Sequence, residues 1–459
     1  MISAFRAFPR RIQLFFGLSL LCTATIYVAL HGKYRPRNVD DAWSLSYIQS
    51  YLKRGSPDDL VFGRSPPYGL RYFGKSHARV VGALLDVFGW TKTTAHLIST
   101  VFLLLAVALW IVLLRRLKFE PEFALIFGVL MLLYEPFFSA AQSGRPEAFV
   151  FLLISLASLL IVVEQRFFAL IAAAIAFESH PVGVVSFIYL LAFALRDRVT
   201  IKANLTPTAL ASVTGGLAAG AAFYIALHSD ALATFEVVFS STADINPGGP
   251  SNFLFDYFFQ TKFYRHIPEL VLFLACAVLY IKWKLHRRAP LSAVFCGSLI
   301  LFSIVFGRPN FHYTIYVYPA FLLLAIVVAD TRRLARGLWL ASFILLVPQY
   351  GVLYVKNRDV DFARQTAMLR AAIPRDSLTV VGGFNDWFAF LERPFVSHQY
   401  SGDFQKLKLD EFYLIEDDDF RRADSPARRH FCGYEIASTL QSFDVNQETF
   451  VVRKMRRRR

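Results

Sequence analysis

The sequence predicts a polytopic α-helical membrane protein that carries a small extracytoplasmic α/β domain at its C-terminal end. Of its 459 residues, 55% are hydrophobic and only 18% are charged, so a soluble fold would expose too much apolar surface. Apolar stretches of roughly 18–22 residues recur along the chain, and this length matches the thickness of a bilayer core. Beyond residue 356 they give way to charged segments with short apolar alternations.

About eleven membrane spans are expected within residues 1–356, which form the predicted transmembrane module. The first is interpreted as a retained span, because it is too long for a signal peptide and lacks a small-residue cleavage site. The short pair at 167–178 and 181–195 could also be divided differently. The predicted spans are 11–31, 91–114, 121–138, 147–163, 167–178, 181–195, 207–228, 269–284, 290–306, 312–329 and 337–356.

Lysine and arginine in the short loops predict the orientation, because cytoplasmic loops of membrane proteins carry an excess of both. The basic residues of the N terminus and of four alternate loops fall on one side, which is therefore taken as cytoplasmic. The net charge of +15 then reflects membrane topology, and it does not indicate nucleic-acid binding. The basic run 456–459 would lie outside, as a solvated tail or one that contacts anionic lipid.

The segments predicted on the outer side include the loop 32–90 and the domain 357–459. In the loop, apolar residues at helical spacing predict two interfacial amphipathic helices, 40–54 and 77–90, joined by a proline-rich turn. In the domain we predict a helix over 361–372 and strands over 378–381, 411–415 and 449–453. The four cysteines indicate neither a disulfide framework nor a metal motif.

An adjacent pair of carboxylates, Asp40 and Asp41, opens the outer loop directly after the first span. Ionisable residues at or inside membrane spans are functional candidates, because burying them is costly. Further polar residues lie at outer span ends, where random scatter would put about half of them on the cytoplasmic side. They are Arg145, Glu147, Glu178, His180, Arg308, Asn310, His312 and Tyr313. We therefore predict an active site that faces outward.

Each of these groups also has a structural interpretation. Asp40 could cap the helix that follows it, since acids are favoured at helix N-termini. Arg145 and Glu147 could form an interfacial ion pair where Pro146 starts a helix. His180 could be a turn histidine, Arg308 could extend its charge to the interface, and the tyrosines of the tenth span could belong to an aromatic belt.

The order of features in the outer loop resembles a known family. After the first span come Asp40-Asp41-Ala42-Trp43 and an amphipathic helix, then the turn Ser65-Pro66-Pro67-Tyr68, then a second helix that ends at Phe88-Gly89-Trp90. This layout is similar to the GT-C membrane glycosyltransferases. It is closest to their bacterial branch related to protein O-mannosyltransferases and to the transferases that put aminoarabinose or galacturonic acid on lipid A.

The resemblance implies transfer of a sugar from a polyprenyl-phosphate donor, with inversion, to a glycolipid, polysaccharide or protein acceptor. Asp40 matches the catalytic acid of the family and would act as the general base for the acceptor hydroxyl. Asp41 matches the acid that follows it, and Glu147 a second acid at the start of a later span; these two would position the acceptor, hold Asp40 or raise its pKa. The lipid A branch often has lysine before the first proline of the turn. This chain has Ser65 there, with Arg64 one position earlier.

The remaining site residues follow from the chemistry that the resemblance implies. A departing phosphate needs positive charge, and the candidates are Arg64, Arg71, Lys75 and Arg308. Candidates for binding the substrates are Arg145, His180, Asn310, His312 and Tyr313. No obligate metal is expected, although three carboxylates could hold a divalent cation. The polyprenyl chain would lie between phenylalanine-rich spans among membrane lipids, and the expected location is a bacterial inner membrane.

Two other classes of function remain open at this point. A transporter or flippase of lipid-linked sugars would use the acids as proton or substrate sites. Such a protein needs charges near the bilayer midplane, whereas the most prominent ones here lie at outer span ends. A structural or assembly subunit would instead bind a partner through the C-terminal domain, and changes at Asp40 would not affect it.

Overall fold

The structure is a computed structural model that describes residues 10–30, 40–55, 73–196, 198–229, 350–398, 409–421 and 433–458. It also describes positions 278, 281–282, 315–320, 322–324, 340, 344, 348 and 431. The N-terminal helices are α1 (Arg10–Leu30), α2 (Asp40–Arg54), α3 (Lys75–Phe88), α4 (Lys92–Arg116), α5 (Pro121–Leu133), α6 (Glu135–Ala141), α7 (Glu147–Val162), α8 (Arg166–Ser179), α9 (Val185–Ala194), α10 (Arg198–Asn204) and α11 (Pro207–His228). Residues 350–357 are also helical.

Local sequence signals account for several helix starts. The hydroxyl of Thr91 accepts a hydrogen bond from the Thr94 amide at 3.0 Å, at the start of α4. Thr206 does the same for the Ala209 amide at 3.3 Å, at the start of α11. Such caps satisfy amide groups that have no partner within the helix. α11 also has proline in its first turn, where the missing N–H costs nothing.

The apolar helices pack side by side. α4 lies against α5 and α7, α7 against α8 and α9, α8 against α11, and α1 against α5. Two described helices, Lys92–Arg116 and Pro207–His228, are long and apolar enough to cross a membrane. Shorter apolar segments are Gly17–Leu30, Pro121–Leu133, Glu147–Val162 and Pro181–Ala194. The predicted spans 269–284, 290–306 and 312–329 lie mostly outside the described residues, so the count of eleven stays a prediction.

Three predicted segments have different boundaries in the structure. The predicted span 121–138 is divided into α5 and α6 at Tyr134, whose backbone is extended; Pro136 follows, and it lacks the amide needed to continue the first helix. The predicted span 181–195 begins with a 3₁₀ turn, Pro181–Val184. The second amphipathic helix ends at Phe88, before the predicted Trp90, because Gly89 adopts a φ of 96°.

Gly183 marks a close backbone approach in the turn between α8 and α9. A Cβ atom there would lie 2.1 Å from the carbonyl oxygen of Ala176 and 2.6 Å from the amide nitrogen of Phe177. Both are backbone atoms, so no side-chain rotation can relieve the overlap. We expect Gly183→Ala to cost about 3 kcal/mol or more of stability and to lower the Tm of the purified protein.

Gly351→Ala is the matched control, because a Cβ atom at Gly351 would meet nothing within 4 Å. It should leave the Tm unchanged or raise it slightly, as alanine is the better helix former. Equal Tm values for wild type and Gly183→Ala would show that the turn is not packed as described.

The C-terminal domain contains one five-stranded mixed sheet. Its helices are α12 (Phe362–Ala372) and α13 (Asp418–Arg421), and its strands are β1 (Thr379–Gly382), β2 (Phe395–Ser397), β3 (Glu411–Glu416), β4 (Tyr434–Val445) and β5 (Glu448–Arg457). The strand order is β2-β1-β3-β5-β4. β1 runs parallel to β2 and β3, whereas β5 is antiparallel to β3 and β4. The prediction of an α/β fold for residues 357–459 agrees with this sheet.

The domain rests on the helix that carries the acid pair. A 3₁₀ helix, Phe384–Ala389, follows β1 and packs on α2, while α12 packs on α4. Trp387 and Phe388 belong to the same apolar cluster as Leu45 and Ile48 of α2. The domain and α2 therefore share a continuous core.

Candidate active site

Asp41 lies in the first turn of α2 and is fully buried. Its Oδ1 accepts hydrogen bonds from the Gly144 amide at 2.8 Å and from the Ser143 hydroxyl at 3.1 Å. Gly144 is packed against α2, since a Cβ atom there would lie 3.0 Å from Cδ1 of Leu45. Asp41 thus ties α2 to the loop before α7, and that loop carries Arg145.

Two basic side chains from the start of α4 complete the surroundings of Asp41. Its Oδ2 lies 2.9 Å from Nε2 of His96 and 3.9 Å from Nζ of Lys92. Burial alone would raise the pKa of the Asp41 carboxyl, but His96, Lys92 and the Gly144 amide together lower it below its ordinary value. Asp41 is therefore a carboxylate at neutral pH.

Arg145 and Glu147 form a buried ion pair at the start of α7. Nη2 of Arg145 lies 2.6 Å from Oε1 of Glu147, and Nε donates to the same oxygen at 2.8 Å. Glu147 is 1% exposed. The ion pair that the sequence left open is thus present. Arg145 directly follows Gly144, which Asp41 binds.

Two histidines lie close enough to Glu147 for its charge to act on them, the buried His77 and the half-buried His180. Burial lowers the pKa of His77, in α3, to about 4, against the opposing charges of Glu147 and Glu178. Burial also lowers the pKa of His180 to about 4. The charge of Glu147 opposes this shift, and the charge of Arg145 lowers the pKa further. Both imidazoles are therefore neutral at pH 7. His180 accepts at Nδ1 from the Val182 amide at 3.2 Å, so its proton lies on Nε2.

Glu178 fixes the start of α3, the second outer helix. Its Oε1 accepts from the Lys75 amide at 2.9 Å and its Oε2 from the Ser76 amide at 3.0 Å. Oε1 also lies 2.9 Å from Nε2 of His228, at the end of α11. A carboxylate is favourable at this position because the first amides of a helix carry partial positive charge. Glu178 thus places His77 beside Glu147.

The structure brings together only part of the predicted site. Asp40 is the first residue of α2. Asp41 binds the loop that carries Arg145, and Arg145 pairs with Glu147 at the start of α7. His180 caps the 3₁₀ turn after α8, as the interpretation of a turn histidine expected. Lys75 donates from Nζ to the carbonyl of Leu227. The predicted residues outside the described part of the chain are Arg64, Arg71, Arg308, Asn310, His312 and Tyr313.

Four residues of this region were absent from the sequence-based site: Lys92, His96, His77 and His228. A signal existed for three of them. Lys92 and His96 lie inside the predicted span 91–114, where ionisable residues are unusual. His228 likewise ends the span 207–228. His77 carried no signal beyond its place at the start of an amphipathic helix.

The arrangement combines the requirements of acyl, glycosyl or phosphoryl transfer to a hydroxyl group. Carboxylates can take a proton and an arginine can stabilise an anion. Among the described residues, Arg145 is paired with Glu147, and Asp41 binds Ser143 and Gly144. Within the described residues, no three His, Cys, Asp or Glu side chains are grouped as a metal site.

The fold is similar to that of ArnT from Cupriavidus metallidurans bound to undecaprenyl phosphate. That structure matches with a TM-score of 0.55 and 14% sequence identity, over 95% of this chain and 98% of the other. The apo state of ArnT matches with a TM-score of 0.56 and 12% identity, over 96% and 97%. No family model and no curated protein match the chain. The predicted resemblance to GT-C membrane glycosyltransferases is confirmed at the level of the fold.

Proposed function

We propose that the protein transfers a sugar from a polyprenyl-phosphate donor to an acceptor hydroxyl at the extracytoplasmic face of a bacterial inner membrane, with inversion. The observation that carries the proposal is the acid pair at the start of α2, in a chain that shares its fold with ArnT over 95% of its length. The ArnT structure contains undecaprenyl phosphate. This supports a polyprenyl phosphate as the lipid part of the proposed donor.

The two acids are proposed to have different roles. Asp41 is buried and bonded to Ser143 and Gly144, so it holds the site together. Asp40 precedes it on α2 and is proposed as the general base. The acceptor oxygen would form a bond to C1 of the sugar while the bond from C1 to the phosphate oxygen breaks. The hydroxyl proton would go to Asp40, and the polyprenyl phosphate would leave with the bonding electrons.

Positive charge is needed where the phosphate departs. Arg64, Arg71 and Arg308 remain proposed for this role. The Lys75 ammonium donates to the Leu227 carbonyl, which supports a structural role for this lysine. Arg145 and His180 would contact the substrates, together with Asn310, His312 and Tyr313.

We expect the reaction to proceed in the presence of a chelator, which would test the view that no metal is obligatory.

The described charges favour the transferase over a transporter. Asp41 lies at the start of α2, which contacts α3 and the 3₁₀ helix of the C-terminal domain. Arg145 and Glu147 lie at the start of α7. A transporter would need comparable groups near the middle of its spans.

Vesicles that contain the purified protein distinguish the two functions. A polyprenyl-phosphate sugar labelled in the sugar is placed in one leaflet, and the acceptor is offered as a glycolipid extract. We expect the label to move from donor to acceptor and unlabelled polyprenyl phosphate to accumulate. Movement of intact labelled donor to the other leaflet, with no loss of its sugar, would reject the transferase and support the flippase.

A further inference from the structure

Lys92 occupies an unusual position for a lysine. It is the first residue of α4 and only 3% exposed. The N-terminus of a helix carries partial positive charge, which repels a cation, and burial removes the water that would solvate it. A residue that violates local preferences in this way is retained where other interactions compensate, and such positions are often functional.

The compensating groups come from two different parts of the chain. One is the carboxylate of Asp41, 3.9 Å from Nζ. The other is the aromatic ring of Phe362, whose centroid lies 4.1 Å from the same nitrogen. Phe362 is the first residue of α12, in the C-terminal domain. The ammonium therefore lies between a carboxylate of the outer loop and a ring of the C-terminal domain.

An aromatic face attracts a cation through its quadrupole, and the attraction increases when the pair is removed from water. Phe362 is only 7% exposed, so this contact is a desolvated one. Its position is fixed by Asp361, which caps α12 by accepting from the Arg364 amide at 2.9 Å. The 3₁₀ helix Phe384–Ala389 adds a second contact of the domain with α2.

We propose that Phe362 is a positioning residue that holds Lys92 against Asp41, so that the C-terminal domain completes the active site. The inference rests on the proposed function. Through Lys92 the ring stabilises the arrangement in which Asp41 binds Ser143 and Gly144. That arrangement places Arg145 and Glu147 beside the start of α2. The C-terminal domain thus helps to fix the geometry of the active site of the proposed transferase.

The test compares Phe362→Leu, Phe362→Tyr and Phe362→Trp in the full-length protein. Leucine removes the ring and keeps an apolar side chain, and we expect kcat to fall about tenfold. The KM for the lipid donor should change less than about threefold, because the ring acts through Lys92 and not on the substrate. Tyrosine and tryptophan keep the aromatic face and should restore most of kcat.

Phe420→Leu is the matched control. Phe420 is a phenylalanine of the same domain that is 5% exposed, and it belongs to a separate apolar cluster with Phe412 and Phe431. A general loss of domain stability would affect both leucine variants, whereas the proposal predicts a lower kcat for Phe362→Leu alone. Equal kcat values for the two leucine variants, or failure of both aromatic variants to restore kcat, would overturn the proposal.

A double-mutant cycle separates this proposal from the proposed function. Lys92→Met, Phe362→Leu and the double variant are compared with wild type in Tm, which requires no donor. We expect the two losses to be non-additive, because each single change already breaks the same contact. Additive losses would overturn the proposal. Non-additive losses in a protein that transfers no sugar from any donor would reject the proposed function and leave the coupling of ring and ammonium established.

Discussion

Replacing Asp40 with asparagine is expected to lower the rate of sugar transfer about 10³-fold while leaving the Tm unchanged. A positioned general base typically contributes 10²–10⁴-fold to a rate, and asparagine has nearly the same shape as aspartate but cannot take the proton. The neighbouring Asp41 cannot replace it, because that carboxylate is fully buried and bonded to Ser143 and Gly144. The measurement is the initial rate of transfer at saturating donor and acceptor.

Asp86→Asn is the control for this experiment. Asp86 is an exposed acid of α3 that accepts from Nε1 of Trp90 at 2.7 Å, a bond that asparagine can keep. It should transfer sugar at the wild-type rate. A rate for Asp40→Asn within about tenfold of wild type would remove Asp40 from the mechanism, since a general base contributes more than this.

Replacing Asp41 with asparagine is expected to act on stability first. The amide can still accept from Gly144 and Ser143, but it removes the charge that faces Lys92 and His96. Loss of one partner from a buried charge pair typically costs about 3–5 kcal/mol. We therefore expect a Tm lower by several degrees and a lower yield of folded protein. Transfer should fall as well, because the loop that carries Arg145 is no longer held.

The pH dependence of the Tm separates the charge of Asp41 from its shape. The folded pKa of this carboxyl is lowered, so its stabilising contribution is complete above the unfolded value of about 3.9 and is lost as the pH falls below it. The Tm difference between wild type and Asp41→Asn should then narrow on acidification below about pH 4. A difference that stays constant from neutral to acidic pH would show that the charge of Asp41 does not stabilise the fold.

The outer helices were predictable because their signal is local. The apolar spacing of residues 40–54 places both acids at the start of a helix, and α2 has these bounds. The bonds of Asp41 were not predictable in the same way. Its contact with Gly144 joins residues 103 positions apart, and a single sequence with no repeat contains no pattern that pairs them. The roles assigned to Asp40 and Glu147 in catalysis stay predictions.

The C-terminal sheet shows the same contrast. β3 has a buried apolar run and was predicted at 411–415. β4 was missed, because most of its residues are exposed on both faces and no apolar alternation marks them. In the turn that follows β4, Asn446 and Gln447 adopt positive φ angles of 55° and 63°. Tight hairpin turns require such angles and favour asparagine, so Asn446 was the signal in the sequence. β2, with three residues, is too short for periodicity to indicate.

Release of polyprenyl phosphate by the purified protein tests the central claim most directly. A panel of polyprenyl-phosphate sugars is offered with acceptor extract to wild type, Asp40→Asn and Asp86→Asn, each shown to be folded by its Tm. The account predicts that wild type and Asp86→Asn release polyprenyl phosphate from one donor of the panel and that Asp40→Asn does not. Equal release by all three folded proteins, or release by none of them, would contradict it.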